Sequence, residues 1–582
     1  MASSADLLEL VKHKGPLLAL AGVSAHLFYW VHGERGNKAA RLCLYSTFVV
    51  NTAVLLTTIH NQGSWLSSSA WLFGIGTVSV LNVCFYIPLF TSVLIYRAFF
   101  HRLHKFPGPF SLKLSKFVAA YQNVENDRDF ERVWNLHKQY GDIVRTGPQE
   151  LSVLSAESID AIYGPSSRCT RAPWYDRLKG SGDLTDDYAV FHMRDPAAHS
   201  QRRKALWDKA FNIRALKAYQ PMVIQTTDKF LDALSNRIGQ TLSGPDTMQL
   251  VSYDLMGVIG WGHSFNNIEN WKLNPNLHFV KAVTAGQQII AQMPWLMSLL
   301  ISLPGADGPL RPYGTWIQDR IQEKRQQPGE ESDAMSRMLP SMLKLSKAAL
   351  YSEGELLVIA GGDTTSTTMT TVIFHLARNP TLQRKLQTEL DTITTDEEEY
   401  YRSISTLPYL NACITEALRI QPPVQGGIPR LTPPEGIHLP TAKNTSTFIP
   451  GNTIISVPVL PVQRDPRYYH HPDEFIPERW TDEKPEWTIN RHAFLPFAGG
   501  AYTCVGKGLA YIEMRVVLAR LFKRFEVKLA EGEDGERFLN ETRDCHVAHL
   551  GDFGVVFSSR GGSAWGVILN EVQMQLLYHL AV

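Results

Sequence analysis

The stretch Phe497-Ala498-Gly499-Gly500-Ala501-Tyr502-Thr503-Cys504-Val505-Gly506 sets a cysteine among glycines, and Lys507 to Phe525 behind it has the pattern of a long amphipathic helix. Glycine adopts backbone conformations that a Cβ forbids, so Gly500 and Gly506 mark a tight turn and a place where peptide N–H groups can come close to the sulfur. A cysteine at a helix N-terminus is favoured as thiolate by those N–H groups and by the helix dipole. The other five cysteines, Cys43, Cys84, Cys169, Cys413 and Cys545, are scattered and form no CxxC pair. That pattern argues against a disulfide framework and a structural zinc site, and fits a reducing compartment.

Upstream of the loop, Pro477-Glu478-Arg479-Trp480 follows Asp473-Glu474-Phe475 and, before it, Arg464-Asp465-Pro466. Further upstream, Glu416-Ala417-Leu418-Arg419 ends a helical stretch from Leu410, with both charges on one face at i, i+3 spacing. Ala360-Gly361-Gly362-Asp363-Thr364-Thr365 reads as an interruption of a helical run from about Gly354 to Arg378. Two glycines inside a helix cost about 1 kcal/mol each relative to alanine, and room for a ligand against the backbone would offset that. An acid and a hydroxyl side by side suit proton delivery. A loop thiolate of this kind is a good ligand for haem iron, where it favours O–O cleavage.

In this order and spacing the segments resemble the cytochrome P450 family. The loop is similar to the family's F-x-x-G-x-R-x-C-x-G: Phe497, Gly500, Cys504 and Gly506 match, and Tyr502 stands where the family has Arg or His against a haem propionate. The resemblance implies a mainly α fold with a smaller β region around a buried haem b. Cys504 would be the axial ligand, with Phe497, Gly500, Tyr502 and Gly506 around the cofactor. Glu416, Arg419 and Arg479 would form a buried network behind it, Asp363 would feed protons, and Thr364 would hold the reaction intermediate or its water. His199-Ser200-Gln201-Arg202-Arg203-Lys204 looks like the family's propionate-facing helix, leaving Arg202, Arg203 and Lys204 as alternatives, and Arg430 is a further propionate candidate. The style of Pro422-Pro423 through Pro434-Glu435-Gly436 resembles fungal members.

The implied reaction inserts one atom of O2 into a lipophilic molecule (a terpenoid, steroid, polyketide or xenobiotic), the expected setting being fungal secondary metabolism or xenobiotic oxidation, with electrons from NADPH through a membrane-bound reductase. Two rivals are a haem-thiolate isomerase or dehydratase that needs no O2, and a non-catalytic haem-binding membrane protein. The Asp363-Thr364 pair speaks against both.

The chain's start is of another kind. Apolar stretches run from about Pro16 to Val31, Leu42 to Ile59 and Trp71 to Tyr96, the last without one charged residue. A bilayer core needs about 20 apolar residues in a helix, which predicts two or three spans. Glu34, Arg35, Lys38 and Arg41 fill the first loop, the second has no charge, and Arg97, Arg102 and Lys105 follow the third stretch. The positive-inside rule then places the first loop and the chain after Phe100 in the cytosol, consistent with an endoplasmic reticulum membrane. Lys105-Phe106-Pro107-Gly108-Pro109 is a stiff linker. The expected division is an anchor over 1–104, a haem domain over 105–560 and an extension over 561–582. The apolar segment Leu255 to Pro304 is expected to cover the substrate cavity. A net charge of +1 over 582 residues gives no reason to expect nucleic acid as a partner.

Overall fold

A computed structural model describes residues 4–31, 36–62, 65–124, 127–176, 188–278, 292–301, 305, 308, 311–326, 332–393, 399–441 and 445–560. The extension over 561–582 lies outside the described residues. Three helices open the chain: α1 (Ser4–Ala25), α2 (Gly36–Asn61) and α3 (Ser68–Ile95). Leu42–Asn61 and Ser68–Phe100 are long and apolar enough to cross a membrane. The Pro16–Val31 stretch lies mostly in α1, whose first half carries Asp6, Glu9, Lys12 and Lys14. Gly22 lets α1 touch α3: a Cβ there would lie 2.3 Å from the Phe85 carbonyl oxygen. The linker is stitched to the domain, since Arg145 N–H donates to the Pro107 carbonyl at 2.7 Å.

Beyond it stand a helical body and small sheets. The largest sheet is built from β1 (Ile143–Gly147), β2 (Glu150–Val153), β3 (Thr170–Arg171), β4 (Arg430–Leu431) and β5 (Ile454–Ser456), in the spatial order β1-β2-β5-β4-β3. Only β2 and β5 run parallel; the other pairs are antiparallel, and β3 against β4 sets Arg171 directly opposite Arg430.

The helices that position the site are α4 (Pro196–Ala205), α5 (Gly244–Trp261), α6 (Arg311–Gln326), α7 (Lys347–Arg378), α8 (Pro408–Ile420) and α9 (Lys507–Arg524). α7 crosses the core. Its start is fixed by Ser346, whose hydroxyl accepts from Ala349 N–H at 3.2 Å. It begins earlier than its sequence suggests and runs unbroken through 360–365, so the expected interruption is absent. The glycine pair serves another helix: a Cβ on Gly361 would meet Met256 Sδ at 2.2 Å, and one on Gly362 would meet Tyr253 Cε1 at 2.4 Å. Both neighbours belong to α5, so the room that was expected for a ligand admits a helix instead.

Leu255 to Pro304 divides into parts: its first residues complete α5 in the core, 279–291 and 302–304 lie outside the described residues, and Pro294–Ile301 forms a helix lying against α2, from which Pro294, Trp295 and Leu299 line a cavity shared with the anchor.

Candidate active site

The cysteine loop is held by its own backbone. Cys504 N–H donates to the Phe497 carbonyl at 3.0 Å, closing the turn. Gly500 has φ +61, and a Cβ there would lie 2.5 Å from the carbonyl oxygens of both Tyr163 and Gly164. No other residue fits. Gly506 differs from expectation: its φ of −78 is open to any residue, but a Cβ there would sit 3.8 Å from Cys504 Sγ. Its value lies in leaving the sulfur approachable. Cys504 is exposed. Although the side chain is accessible, the protein packed around it desolvates the thiol and holds it above its usual value, an effect that N–H groups of Gly506 and Lys507 and the charge of Arg203 only partly offset. Those donors and that cation favour a thiolate. The Phe497 ring meets Tyr511 of α9 at 5.5 Å, pinning the loop's start to the helix behind it.

Glu416, Arg419 and Arg479 come together with none of their side chains exposed. Arg419 grips the carboxylate with two bonds of 2.8 Å, and Arg479 Nε adds one at 3.0 Å. Trp480 Nε1 and Ile476 N–H donate to the same carboxylate. Burial alone would raise its pKa, but Arg419 and then Arg479 hold it below the usual carboxylate range. The remaining guanidinium N–H groups go to carbonyls of Gln463, Pro472, Glu474, His470, His471 and Trp487. Gln463 then carries the connection toward the cysteine loop, accepting from Leu495 N–H at 2.8 Å. The network therefore fixes the irregular segment that leads into Phe497.

On α7, Ala360 and Thr364 lie one turn apart, and Thr364 Oγ1 donates to the Ala360 carbonyl at 2.8 Å. The Asp363 carboxylate accepts from the Tyr253 hydroxyl of α5. Nearer its start, α7 presents Glu353, fully buried, to Arg202 (3.0 Å), Trp207 Nε1 (2.8 Å) and Val190 N–H (3.0 Å). Burial pushes Glu353 up to about 7 against those donors. Arg202 is therefore committed to α7. Arg203 is committed too: Nη1 reaches the Thr503 carbonyl at 2.9 Å, next to the cysteine, and Nε meets Asp208 at 3.0 Å. Lys204 is exposed.

Two buried cations near the cysteine loop lack an anion among the described residues. Arg171 and Arg430, opposite each other in the sheet, are 6% and 1% exposed, and their guanidinium carbons stand 4.5 and 4.6 Å from the Tyr502 ring. Among the described residues, both Arg430 terminal nitrogens and Arg171 Nε lack a hydrogen-bond partner, as does Nδ1 of buried His199. The His199 ring meets Tyr502 at 4.7 Å, and burial, then Arg171, Arg203 and Arg430, push it down to about 3. Tyr502 spends its own hydroxyl on the Arg194 carbonyl at 2.7 Å. Its ring thus offers an aromatic surface to both guanidiniums. Buried cations facing each other with unused N–H groups call for an acidic ligand. A haem with two propionates, ligated by the nearby Cys504, fits that demand.

Several of these residues escaped the sequence. Arg171 has no local signal, because strand pairing alone brings it to Arg430. His199 was legible: it lies one helical turn before Arg203, on the same face.

Residues 107–548 match the family described as Cytochrome P450. The chain is 31% identical over 558 residues to the cytochrome P450 monooxygenase FCK2 of Fusarium pseudograminearum, covering 94% of this chain and 97% of that protein. It is 30% identical to tryprostatin B 6-hydroxylase of Neosartorya fischeri, covering 93% and 97%. Among solved structures, the cytochrome P450DA heme domain superposes with a TM-score of 0.62 at 18% identity, over 76% of this chain and 95% of that one. With the family's description matching most of the chain and relatives aligned over nearly their whole length, this chain belongs to the cytochrome P450 family.

Proposed function

We propose that the chain is a membrane-anchored monooxygenase that inserts one atom of O2 into a lipophilic small molecule in fungal secondary metabolism, with electrons from NADPH through a membrane-bound reductase. Terpenoid, steroid and polyketide skeletons fit this reading. When bound, haem supplies O2 binding and activation. The chain supplies the rest. Cys504 ligates the iron from a loop fixed by Gly500 and by the Glu416 network. Arg171, Arg430 and His199 would take the propionates, with the Tyr502 ring packed against all three. Thr364 offers a hydroxyl, and Asp363 handles the proton beside it.

The observation that carries the lipophilic substrate is a cavity of about 2350 Å³ shared by anchor and domain. Leu18, Phe85 and Phe90 line it from the helices, and Trp174, Gly427 and Leu431 from the domain. A molecule dissolved in the bilayer could enter there without crossing water. On this reading residues 1–104 are the anchor, 105–560 the haem domain, and the domain faces the cytosol from the endoplasmic reticulum.

The test begins with the carbon monoxide difference spectrum of dithionite-reduced membranes. A strongly red-shifted Soret band, lost in Cys504→Ala, is expected. Extracts of lipophilic metabolites are then incubated with NADPH, reductase and 18O2. Product carrying one 18O atom supports the proposal. NADPH-independent conversion of a peroxide substrate would replace it with an isomerase or dehydratase.

A further inference from the structure

Asp363 is gripped from a neighbouring helix. The Tyr253 hydroxyl of α5 hydrogen-bonds its carboxylate. The Tyr253 ring lies so near Gly362 that a Cβ there would be 2.4 Å from Cε1. The preceding residue, Ser252, donates its hydroxyl proton to the Gly362 carbonyl at 2.7 Å. Two successive residues of α5 therefore hold two successive residues of α7, and the absence of a side chain at Gly362 is what allows the ring so close. Tyr253 is 2% exposed, and burial followed by the charge of Asp363 pushes its phenol well above the usual value. It stays protonated and acts toward the carboxylate as a donor only. Tyr313 of α6 is a second buried phenol within electrostatic reach of Asp363, and its hydroxyl has no hydrogen-bond partner among the described residues. Glu355 also faces Tyr313 and is pushed up to about 7 by burial. From α7 itself, the hydroxyls of Ser366 and Thr367 bind the Asp363 backbone carbonyl, not its carboxylate.

We propose that Tyr253 is the positioning residue for Asp363: its phenol fixes the direction of the acid beside Thr364 and weakens the acid's hold on its proton, so that proton delivery is set from α5. The proposal rests on the reading of Asp363 as the proton-handling acid. A hydrogen bond donated to a carboxylate favours the charged form. Removing the donor therefore raises the acid's pKa, and a stronger donor lowers it.

The experiment uses the full-length holoprotein in phospholipid nanodiscs. The infrared carboxyl band of Asp363 is identified by its loss in Asp363→Asn and followed against pH. Tyr253→Phe is expected to raise the midpoint by about 1 pH unit. Replacing Tyr253 by 3,5-difluorotyrosine, a more acidic phenol of nearly the same shape, is expected to lower it. In parallel, the solvent isotope effect on NADPH consumption rises in Tyr253→Phe, while the carbon monoxide band keeps its height. A midpoint that neither substitution moves overturns the proposal. Should the phenylalanine variant fail to retain haem, the difluorotyrosine protein decides alone. An Asp363→Asn enzyme with an unaltered isotope effect would instead overturn the reading of Asp363, which the midpoint shift does not depend on.

Discussion

Arg171 and Arg430 meet across antiparallel strands, both buried and both against the Tyr502 ring. Like charges directly opposite in a sheet are destabilising even before burial is counted. Burial has a visible effect on Arg171, whose pKa is pushed down to about 10. A propionate between them turns that cost into charge-assisted hydrogen bonds worth about 1.5–3 kcal/mol each. Arg430→Leu should then leave the protein folded and speed haem transfer to apomyoglobin about tenfold or more, that energy being divided by about 1.4 kcal/mol per decade. Unchanged transfer would remove Arg430 from the propionates. Glu513 of α9 makes a second case at this scale. It is 1% exposed, bonded to the Thr365 hydroxyl, and pushed up to about 8 by burial. An unfolded glutamate releases its proton near pH 4.3, roughly, so the native state loses stability as pH rises from there to the folded value, and loses no more above it. Glu513→Gln should raise the melting temperature at pH 8 and gain nothing at pH 4, as differential scanning calorimetry would register. Sequence gave notice of the cysteine and the Glu416-Arg419 pair because their partners are local or lie in a recognisable segment. It was silent on Arg171 and Glu513, whose meaning comes from residues far along the chain.

The glycine pair shows how an element can be recognised for the wrong reason. Gly361 and Gly362 stand out locally as a weak point in a helix, and a ligand-sized gap is one use for such a point. The helix nevertheless stays regular, because Met256 and Tyr253 of α5 fill the space and Ser252 binds the Gly362 carbonyl. Periodicity cannot reveal this, since the filling side chains come from another helix. Gly362→Ala should force the Tyr253 ring away and cost about 1–3 kcal/mol, the usual range for overpacking a core. Gly500→Ala belongs to a different class. It meets two carbonyl oxygens at 2.5 Å and needs φ +61, so the loop must move. The expected result is loss of the red-shifted carbon monoxide band with most secondary structure retained, compared by circular dichroism. A normal band would mean that the loop tolerates the shift and that Gly500 does not set the position of Cys504.

At the scale of the whole molecule the boundary between anchor and domain is the point at which composition and packing differ. Composition changes at Lys105, after the last apolar stretch. Packing changes earlier: Leu103 is fully buried in the smaller core with Leu151, Val153 and Val459, and Arg102 donates to the Asn452 carbonyl at 2.7 Å. Arg97, at the foot of α3, reaches the Leu114 carbonyl at 2.7 Å. The residues after Phe100 read as a charged loop in sequence, yet His101 and Leu103 are buried, and their burial depends on a core assembled from distant strands. Two truncations separate the readings. A chain beginning at His101 should leave the carbonate-washed membrane pellet yet keep its haem and melting temperature. A chain beginning at Lys105 lacks Leu103, and losing a buried leucine costs about 2–5 kcal/mol. It should melt several degrees lower by thermal denaturation followed at the Soret band. Equal melting temperatures would show that Leu103 adds little and that the domain starts where the composition changes. A His101 chain that stays in the pellet would locate part of the membrane contact on the domain itself, where Phe110 and Phe117 are exposed.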